Sequence, residues 1–289
     1  MPAVGTAPTS ARDGRGGELA SRTVLDQLIV PPGKRISLAK RKPDETFGWD
    51  KEKSKVELAS TIERLAVLQN RLHAEGKQSL LVVLQAMDAA GKDGVIRSIF
   101  TGLNPAGVRV TAFKAPVGRE VEQDYLWRVH ASVPARGEIG VFNRSHYEDV
   151  LVVRVKGFVP PARWKRRYRH IAEFERLLAD EGTRIIKIYL NVSNEEQALR
   201  LQDRIDDPEE RWKFRAGDLD DRKLWPQYMK AYEDAMFQTS ATHAPWYVVP
   251  ADRKWVRNLA IARLLLATLE DMNPSLPPPE AGIDGLKVV

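Results

Sequence analysis

Cysteine is absent from the 289 residues, so disulfides and thiolate–zinc sites are excluded, and a reducing cytoplasm is the expected setting. Histidine is scarce, with five copies scattered along the chain, which argues against a histidine-rich metal centre. No apolar run approaches the ~18–20 residues of a membrane-spanning helix, and the N-terminus lacks the positive-then-apolar pattern of a secretory signal. Acid is in deficit: 45 Lys and Arg face 39 Asp and Glu, a net charge of +6. With a pI near 9.4, that balance favours an anionic partner, although +6 on this length is also ordinary colloidal charge.

What is present is enough for a substantial core, with 43% hydrophobic residues. Residues 1–20 carry almost nothing to bury and are expected to be a disordered tail. Residues 21–53 read as an arm lying over the body, 54–272 as the folded domain, and the proline-rich 273–289 as a C-terminal tail. From Lys55 to Ala74, Leu58, Ile62, Leu65, Leu68 and Leu72 recur at three- and four-residue steps, the stripe of an amphipathic helix. Short apolar runs at Ser79–Leu84, Val108–Phe113, Glu138–Phe142, Arg184–Val192 and Trp246–Val249 read as strands. Helices are expected at Asp93–Thr101, Glu120–Ala131, Arg166–Asp180, after a capping box at Ser193 and Glu196, and at Val256–Met272. In Arg166–Asp180, the residues Tyr168, Ile171, Phe174, Leu177 and Leu178 should face inward, and Gly182 should stop the helix. Strands alternating with helices predict an α/β fold with a parallel sheet of about five strands covered on both faces. Functional residues should gather at the carboxyl ends of those strands.

That is where the chemistry-bearing residues fall. The stretch A-M-D-A-A-G-K-D-G, residues 86–94, joins the first buried strand to a helix. Small residues let the backbone bend so that successive N–H groups face a phosphate, and Lys92 supplies the neutralising charge. The loop departs from G-x-x-x-x-G-K-[ST] at both ends, with Ala86 for the first Gly and Asp93 for the hydroxyl residue. On its own it also fits a plain strand–helix turn opened by Asp93. The third strand runs into F-N-R-S-H-Y-E-D, residues 142–149, where Arg144 can fork onto phosphoryl oxygens and Glu148 or Asp149 can take a metal. Singly, Asp149 also fits a helix cap and Arg144 a structural ion pair. Residues 154–169 hold Arg154, Lys156, Arg163, Lys165, Arg166, Arg167 and Arg169 with no acid, either a solvated helix face or the wall of a polyanion site. Residues 203–225 mix acids and bases around Pro208 and Trp212, the character of a surface hairpin or of a mobile lid. No base-reading or membrane module is evident, so neither nucleic acid nor a membrane is an expected partner.

Together the runs LQAMDAAGKDG (84–94), NPAGVRVTAFKAP (104–116), GVFNRSHYEDVLVVRV (140–155), DDPEERWKFRAGDLDDRKLW (206–225) and APWYVVPAD (244–252) resemble the polyphosphate kinase 2 family. The resemblance implies a three-layer α/β/α P-loop kinase with a helical lid at about 200–228. It implies phosphoryl transfer from inorganic polyphosphate to AMP or ADP, forming ADP or ATP and partly reversible. Mg2+, or Mn2+ in its place, would be the cofactor, and a homodimer or homotetramer the assembly. Carried over by position, Asp88, Lys92, Arg144 and Arg204 would be catalytic, with Asp88 and Glu148 on the metal. Ala89, Ala90, Gly91, Lys92, Asp93, Gly94, Lys114, Asn143, Arg144, Tyr147, Glu148, Arg204 and Lys213 would line the phosphate and nucleotide site. Many relatives carry aspartate in place of Asn143. The spellings DAAGKDG and NRSHYED are similar to the branch that accepts both AMP and ADP.

Overall fold

The structure is a computed structural model, described here for residues 24–283 and 285–287. The expected tail at 1–20 lies outside the described residues. Six strands form one sheet: β1 (Ile29–Val30), β2 (Ser79–Ala86), β3 (Val108–Ala112), β4 (Ile139–Asn143), β5 (Thr183–Asn191) and β6 (Trp246–Pro250). Their order across the sheet is β1-β6-β5-β2-β4-β3. The five strands read from the sequence are parallel to their neighbours, and the short β1 pairs antiparallel with β6. The arm therefore contributes an edge strand instead of only lying over the body. Its chain then crosses the ends of β5 and β6, where Asn191 Nδ2 donates to the Arg41 carbonyl at 2.9 Å and the Asp252 amide to the Pro43 carbonyl at 3.1 Å.

The longer helices are α1 (Lys51–Glu75), α2 (Lys92–Phe100), α3 (Pro161–Asp180), α4 (Asn194–Asp206), α5 (Ala216–Lys223), α6 (Trp225–Thr239) and α7 (Lys254–Met272). Helix α1 starts within the segment read as arm, because the Asp50 side chain accepts from the Lys53 amide and caps it there. It packs along α7, with α2 beside them, while α3 and α6 pack together on the opposite side. Every residue of β2 is buried, as are all but one of β5, which explains the unbroken apolar run of β2; in β5 the run is interrupted by the buried Lys187.

Three local readings need correction. Glu120–Ala131 is two separate turns, Arg119–Glu122 and Trp127–His130, because the Asp124 side chain takes the Leu126 amide at 2.9 Å and competes with helical bonding. On α3, Tyr168, Ile171, Phe174 and Leu178 face inward as expected, but Leu177 is exposed, and Arg167 and Glu175 join the buried arc. The capping box is half formed: Ser193 Oγ accepts from the Glu196 amide at 3.1 Å, but the Glu196 carboxylate pairs with Arg200 and the Ser193 amide donates to Asp252 Oδ1. No helix among the described residues is long and apolar enough to cross a membrane.

From β2 the chain leaves to one side of the sheet to build β3 and β4, then returns across β2 to build β5. The carboxyl end of β2 is thus the point where strand order reverses, the place where open α/β sheets form ligand crevices.

Candidate active site

The end of β2 turns into α2 through residues 87–91. Ala89 sits at φ 61° and Gly91 at φ 100°, both left-handed. Among the described residues four non-glycine residues have positive φ, and two of them, Ala89 and Arg144, stand at this one place. Such strain persists where the surroundings enforce it and is concentrated at functional sites. The bend leaves the amides of Ala89, Gly91, Lys92, Asp93 and Gly94 without a protein acceptor among the described residues; Ala90 donates to the Met87 carbonyl. Unused donors of this kind at the start of a helix are able to face an anion.

The opposite face of the loop is fully engaged. The Asp88 carbonyl accepts from Gln197 Nε2 at 2.8 Å, and the Ala89 and Ala90 carbonyls from an Arg200 guanidinium nitrogen at 3.3 and 3.0 Å. Arg257 also donates to the Ala90 carbonyl, at 3.2 Å. With the carbonyls held from behind, the amides face the other way. Arg257 approaches so closely that a Cβ on Gly91 would lie 2.1 Å from its Nη1, and one on Gly94 3.2 Å from its Nη2. The two glycines therefore admit this guanidinium as well as the bend. Burial, helped by the charge of Arg200, lowers the Arg257 pKa to about 10. Neither Gln197, Arg200 nor Arg257 was legible as a site residue. All three stand on helices α4 and α7, where a polar residue reads as solvated, and nothing in the spacing tells that they turn inward.

Around this bend the structure gathers Asp88, Lys92, Asp93, Asn143, Arg144 and Glu148. Lys92 is buried, its Nζ donating to the carbonyls of Ala86 at 3.2 Å and Met87 at 3.4 Å. Burial, reinforced by the Arg144 charge, pulls its pKa below the ordinary lysine value against the opposing pull of Asp88, Glu148 and Asp93. Asp88 is ion-paired with Arg144. Burial alone would raise the Asp88 carboxyl, yet Lys92 and Arg144 hold it below the usual carboxylate range. Burial pushes Glu148 upward despite the same two cations, and Gln85, oriented to satisfy both neighbours, donates to Glu148 Oε1 at 3.0 Å. Of the two departures from the standard loop pattern, Ala86 offers Lys92 only its backbone carbonyl, as any residue would, whereas Asp93 has a local partner, its Oδ1 accepting from Asn143 Nδ2 at 2.6 Å. Asn143 is placed there by the β2–β4 register, opposite Leu84.

Other expected residues stand farther out. Arg204 is half-buried on α4, and its charge acts on both Asp88 and Asp218. Asp218 of α5, which the sequence did not single out, has its carboxyl raised by burial and by the facing Asp88 charge. Lys213 is ion-paired with Glu210 inside the connecting segment, and Lys114 is exposed beyond β3. Tyr147 is a correction: its ring lies fully in the core, its hydroxyl bonding Glu175 and Thr239 at 2.8 Å each, so it cannot touch a nucleotide in the cleft. Register on the turn after β4 aims it below the sheet, a direction the motif string does not encode.

The basic run divides in two. Arg154 pairs with Asp234, Lys156 with Asp221 and Arg167 with Asp149. Arg163 and Arg166 have no such pair among the described residues and, with Arg167 and the Glu173-paired Arg169, line a groove of about 500 Å³, walled also by Arg128, Asp149, His170 and the segment following β3. The groove opens at the same end of the sheet as the bend after β2, since it borders the segments that follow β3 and β4.

A hard-cation site is compatible with these side chains. No group of three or more His, Asp or Glu ligands exists among the described residues, but Asp88 is ionised and Glu148 and Asp218 are near it in charge. Magnesium is commonly held by one or two carboxylates, with substrate phosphates and water completing its shell.

Comparison with known proteins agrees with this geometry. Residues 48–277 match the family described as Polyphosphate kinase 2 (PPK2). The chain is 52% identical over 266 residues to an AMP/ADP-polyphosphate phosphotransferase of Meiothermus ruber, covering 91% of this chain and 100% of that protein. It is 42% identical to an ADP-polyphosphate phosphotransferase of Rhodopseudomonas palustris, covering 87% and 91%. The crystal structure of Polyphosphate Kinase 2 from Arthrobacter aurescens TC1 superposes with a TM-score of 0.85 at 44% identity, covering 90% of this chain and 92% of that one. With a family match over most of its length and a bend of unspent amides at the reversal point of the sheet, the chain belongs to the polyphosphate kinase 2 family.

Proposed function

We propose that this protein transfers the terminal phosphoryl group of inorganic polyphosphate to AMP and ADP, with Mg2+, or Mn2+ in its place, held at Asp88. The observation that carries this reading is the set of unused amides of Ala89, Gly91, Lys92, Asp93 and Gly94, ringed by Lys92 and Arg144, at the reversal point of the sheet. The cradle, Lys92 and the exposed arginines of the adjoining groove together suit a long polyanion better than a small neutral substrate. A bound divalent cation would neutralise phosphate oxygens and hold donor and acceptor in register.

In the reaction, a phosphate oxygen of the acceptor nucleotide attacks the terminal phosphorus. The bridging P–O bond breaks, and the shortened polyphosphate leaves with its electron pair. The attacking oxygen is already ionised near neutral pH, so no strong general base is required; positioning and charge neutralisation carry the rate. Lys92 and the loop amides would hold the transferring group, and Arg144 would bridge the acceptor phosphate and Asp88. Glu148 would keep the two cations in place from the buried side, and Arg204 and Lys213 would close over the phosphates from the segment following α4. Lys114 and the arginine groove would guide the chain of the donor.

The test supplies polyphosphate or ATP as sole donor to AMP, ADP, GMP and GDP, with products separated by chromatography over time. Polyphosphate should yield ADP and ATP from the adenine acceptors in a divalent-cation-dependent manner. Transfer from ATP alone, with polyphosphate inert, would overturn the reading.

A further inference from the structure

One side-chain amide joins the segment over the site to the phosphate loop itself. Gln197 stands in the first turn of α4, 1% exposed. Its Nε2 donates to the Asp88 carbonyl at 2.8 Å, and its Oε1 accepts from Arg222 Nη1 at 2.8 Å. Arg222 belongs to α5, the helix of the lid segment, and holds α4 at two further points, the Asn194 carbonyl and Asn194 Oδ1, each at 2.8 Å. The adjacent Asp221 is tied to other elements, to Lys156 at 2.8 Å and to the Tyr228 hydroxyl at 3.0 Å. Asp218, four residues before Arg222 and on the same face of α5, has its carboxyl pushed up by burial and by the charge of Asp88. The end of α5 is thus pinned on both sides, and one of the pins runs through Gln197 into the backbone that carries the Asp88 carboxylate.

The chemistry of an amide makes this link directional. A glutamine has one acceptor and one donor group in a fixed plane, so only one orientation serves both Arg222 and the Asp88 carbonyl. In a buried position water cannot replace either bond cheaply, and a displaced α5 would leave Gln197 Oε1 and the Asp88 carbonyl to readjust together. We infer that Gln197 and Arg222 form a positioning relay that couples the seating of the α5 lid to the geometry of the phosphate loop at Asp88. This goes beyond the assignment of the loop as phosphate cradle and rests on it. Neither residue touches substrate in this scheme; each acts through the Asp88 backbone.

Two substitutions cut the relay at different links. Gln197→Glu keeps an acceptor for Arg222 but sets a carboxylate oxygen against the Asp88 carbonyl. Arg222→Met removes the donor from the lid and leaves Gln197 in place. Each should lower kcat with polyphosphate and ADP by about 10-fold, the scale of one buried hydrogen bond, while KM for both substrates stays within about 3-fold. The double variant should lose the same factor of about 10, since a relay cut twice is no worse than one cut once; independent effects would multiply to about 100. Thermal unfolding is followed for all three, and Gln197→Met, uncharged and of similar length, replaces Gln197→Glu if the latter does not fold. Parent-like kcat in either single variant, losses confined to KM, or a multiplicative double variant would each overturn the relay. Lys92→Ala run alongside separates the two claims. If it too retains turnover, the cradle reading fails; if it is inactive while the relay variants are normal, only the relay fails.

Discussion

Two buried lysines differ in how completely the fold satisfies them. Lys187, at the middle of β5, donates to Glu175 at 2.5 Å, to the Thr239 carbonyl at 2.7 Å and to the Tyr147 hydroxyl at 3.0 Å. All three donors of its ammonium are used, and its partners are themselves bonded: Tyr147 and Trp246 both reach Thr239, and Glu175 also meets His146. Lys92 is also buried, yet its ammonium meets two carbonyls at 3.2 and 3.4 Å, with the nearby carboxylates acting on it through space. One ammonium is satisfied by the fold; the other keeps bonding capacity that a phosphate chain can use. The difference is one of position. Lys187 lies inside the sheet layer, whereas Lys92 opens a helix at the strand ends, beside amides that are likewise unspent.

The comparison is broken or sharpened most strongly at Glu175. Glu175→Ala leaves the Lys187 charge buried and unpaired and is expected to cost about 3–5 kcal/mol of stability, read from denaturant unfolding. A loss under about 1 kcal/mol would mean that Lys187 is not held by this pair. Next in size is Lys92→Ala, expected to lower kcat at least about 100-fold, about 2.7 kcal/mol of transition-state stabilisation, with no loss of folding stability. Opposite consequences for two buried lysines are the signature sought; near-normal turnover, or a large drop in stability, would merge the two cases.

Smaller still is Gly91→Ala. Its φ of 100° and the 2.1 Å approach to Arg257 should make this variant about 1–3 kcal/mol less stable and slower in turnover, as measured by unfolding and initial rates. An unaffected variant would show that the cradle tolerates a shift of Arg257. The smallest effect is the acid limb of stability. Burial would raise the Glu175 carboxyl, but Lys187 and His146 hold it below its ordinary value of 4.5. A lowered folded-state pKa contributes stability that is present above the unfolded value and is lost as pH falls from about 4.5 through the folded value. The unfolding free energy should therefore fall with pH in that window, and the Glu175→Gln variant should show a shallower slope. Identical slopes would place the acid sensitivity elsewhere.

Much of this architecture is legible in the residue string. The five parallel strands stand where the short apolar runs lie, and their ends shift by only a residue or two; β2 is apolar because it is buried on both faces, whereas the edge strand β3 is largely exposed. Asp88, Lys92, Asn143 and Arg144 were legible through two motifs at strand ends, and their convergence follows from β2 and β4 being neighbours in register. Tyr147 and the helix at 120–131 were misread because Tyr147 bonds Glu175 and Thr239 in the core, distant partners the motif does not reveal, and because an aspartate side chain takes an amide from the helix.

What the sequence alone determined is therefore the succession of buried strands, the flexible bend after the first of them and the chemical identity of the groups offered there. Only the tertiary structure decided which face of that bend is free, because Gln197, Arg200 and Arg257 come to it from segments more than a hundred residues away. Local patterns record what a residue can do with its neighbours in the chain. Which carbonyls are occupied, and hence where the unused amides point, depends on contacts that exist only once the sheet has assembled.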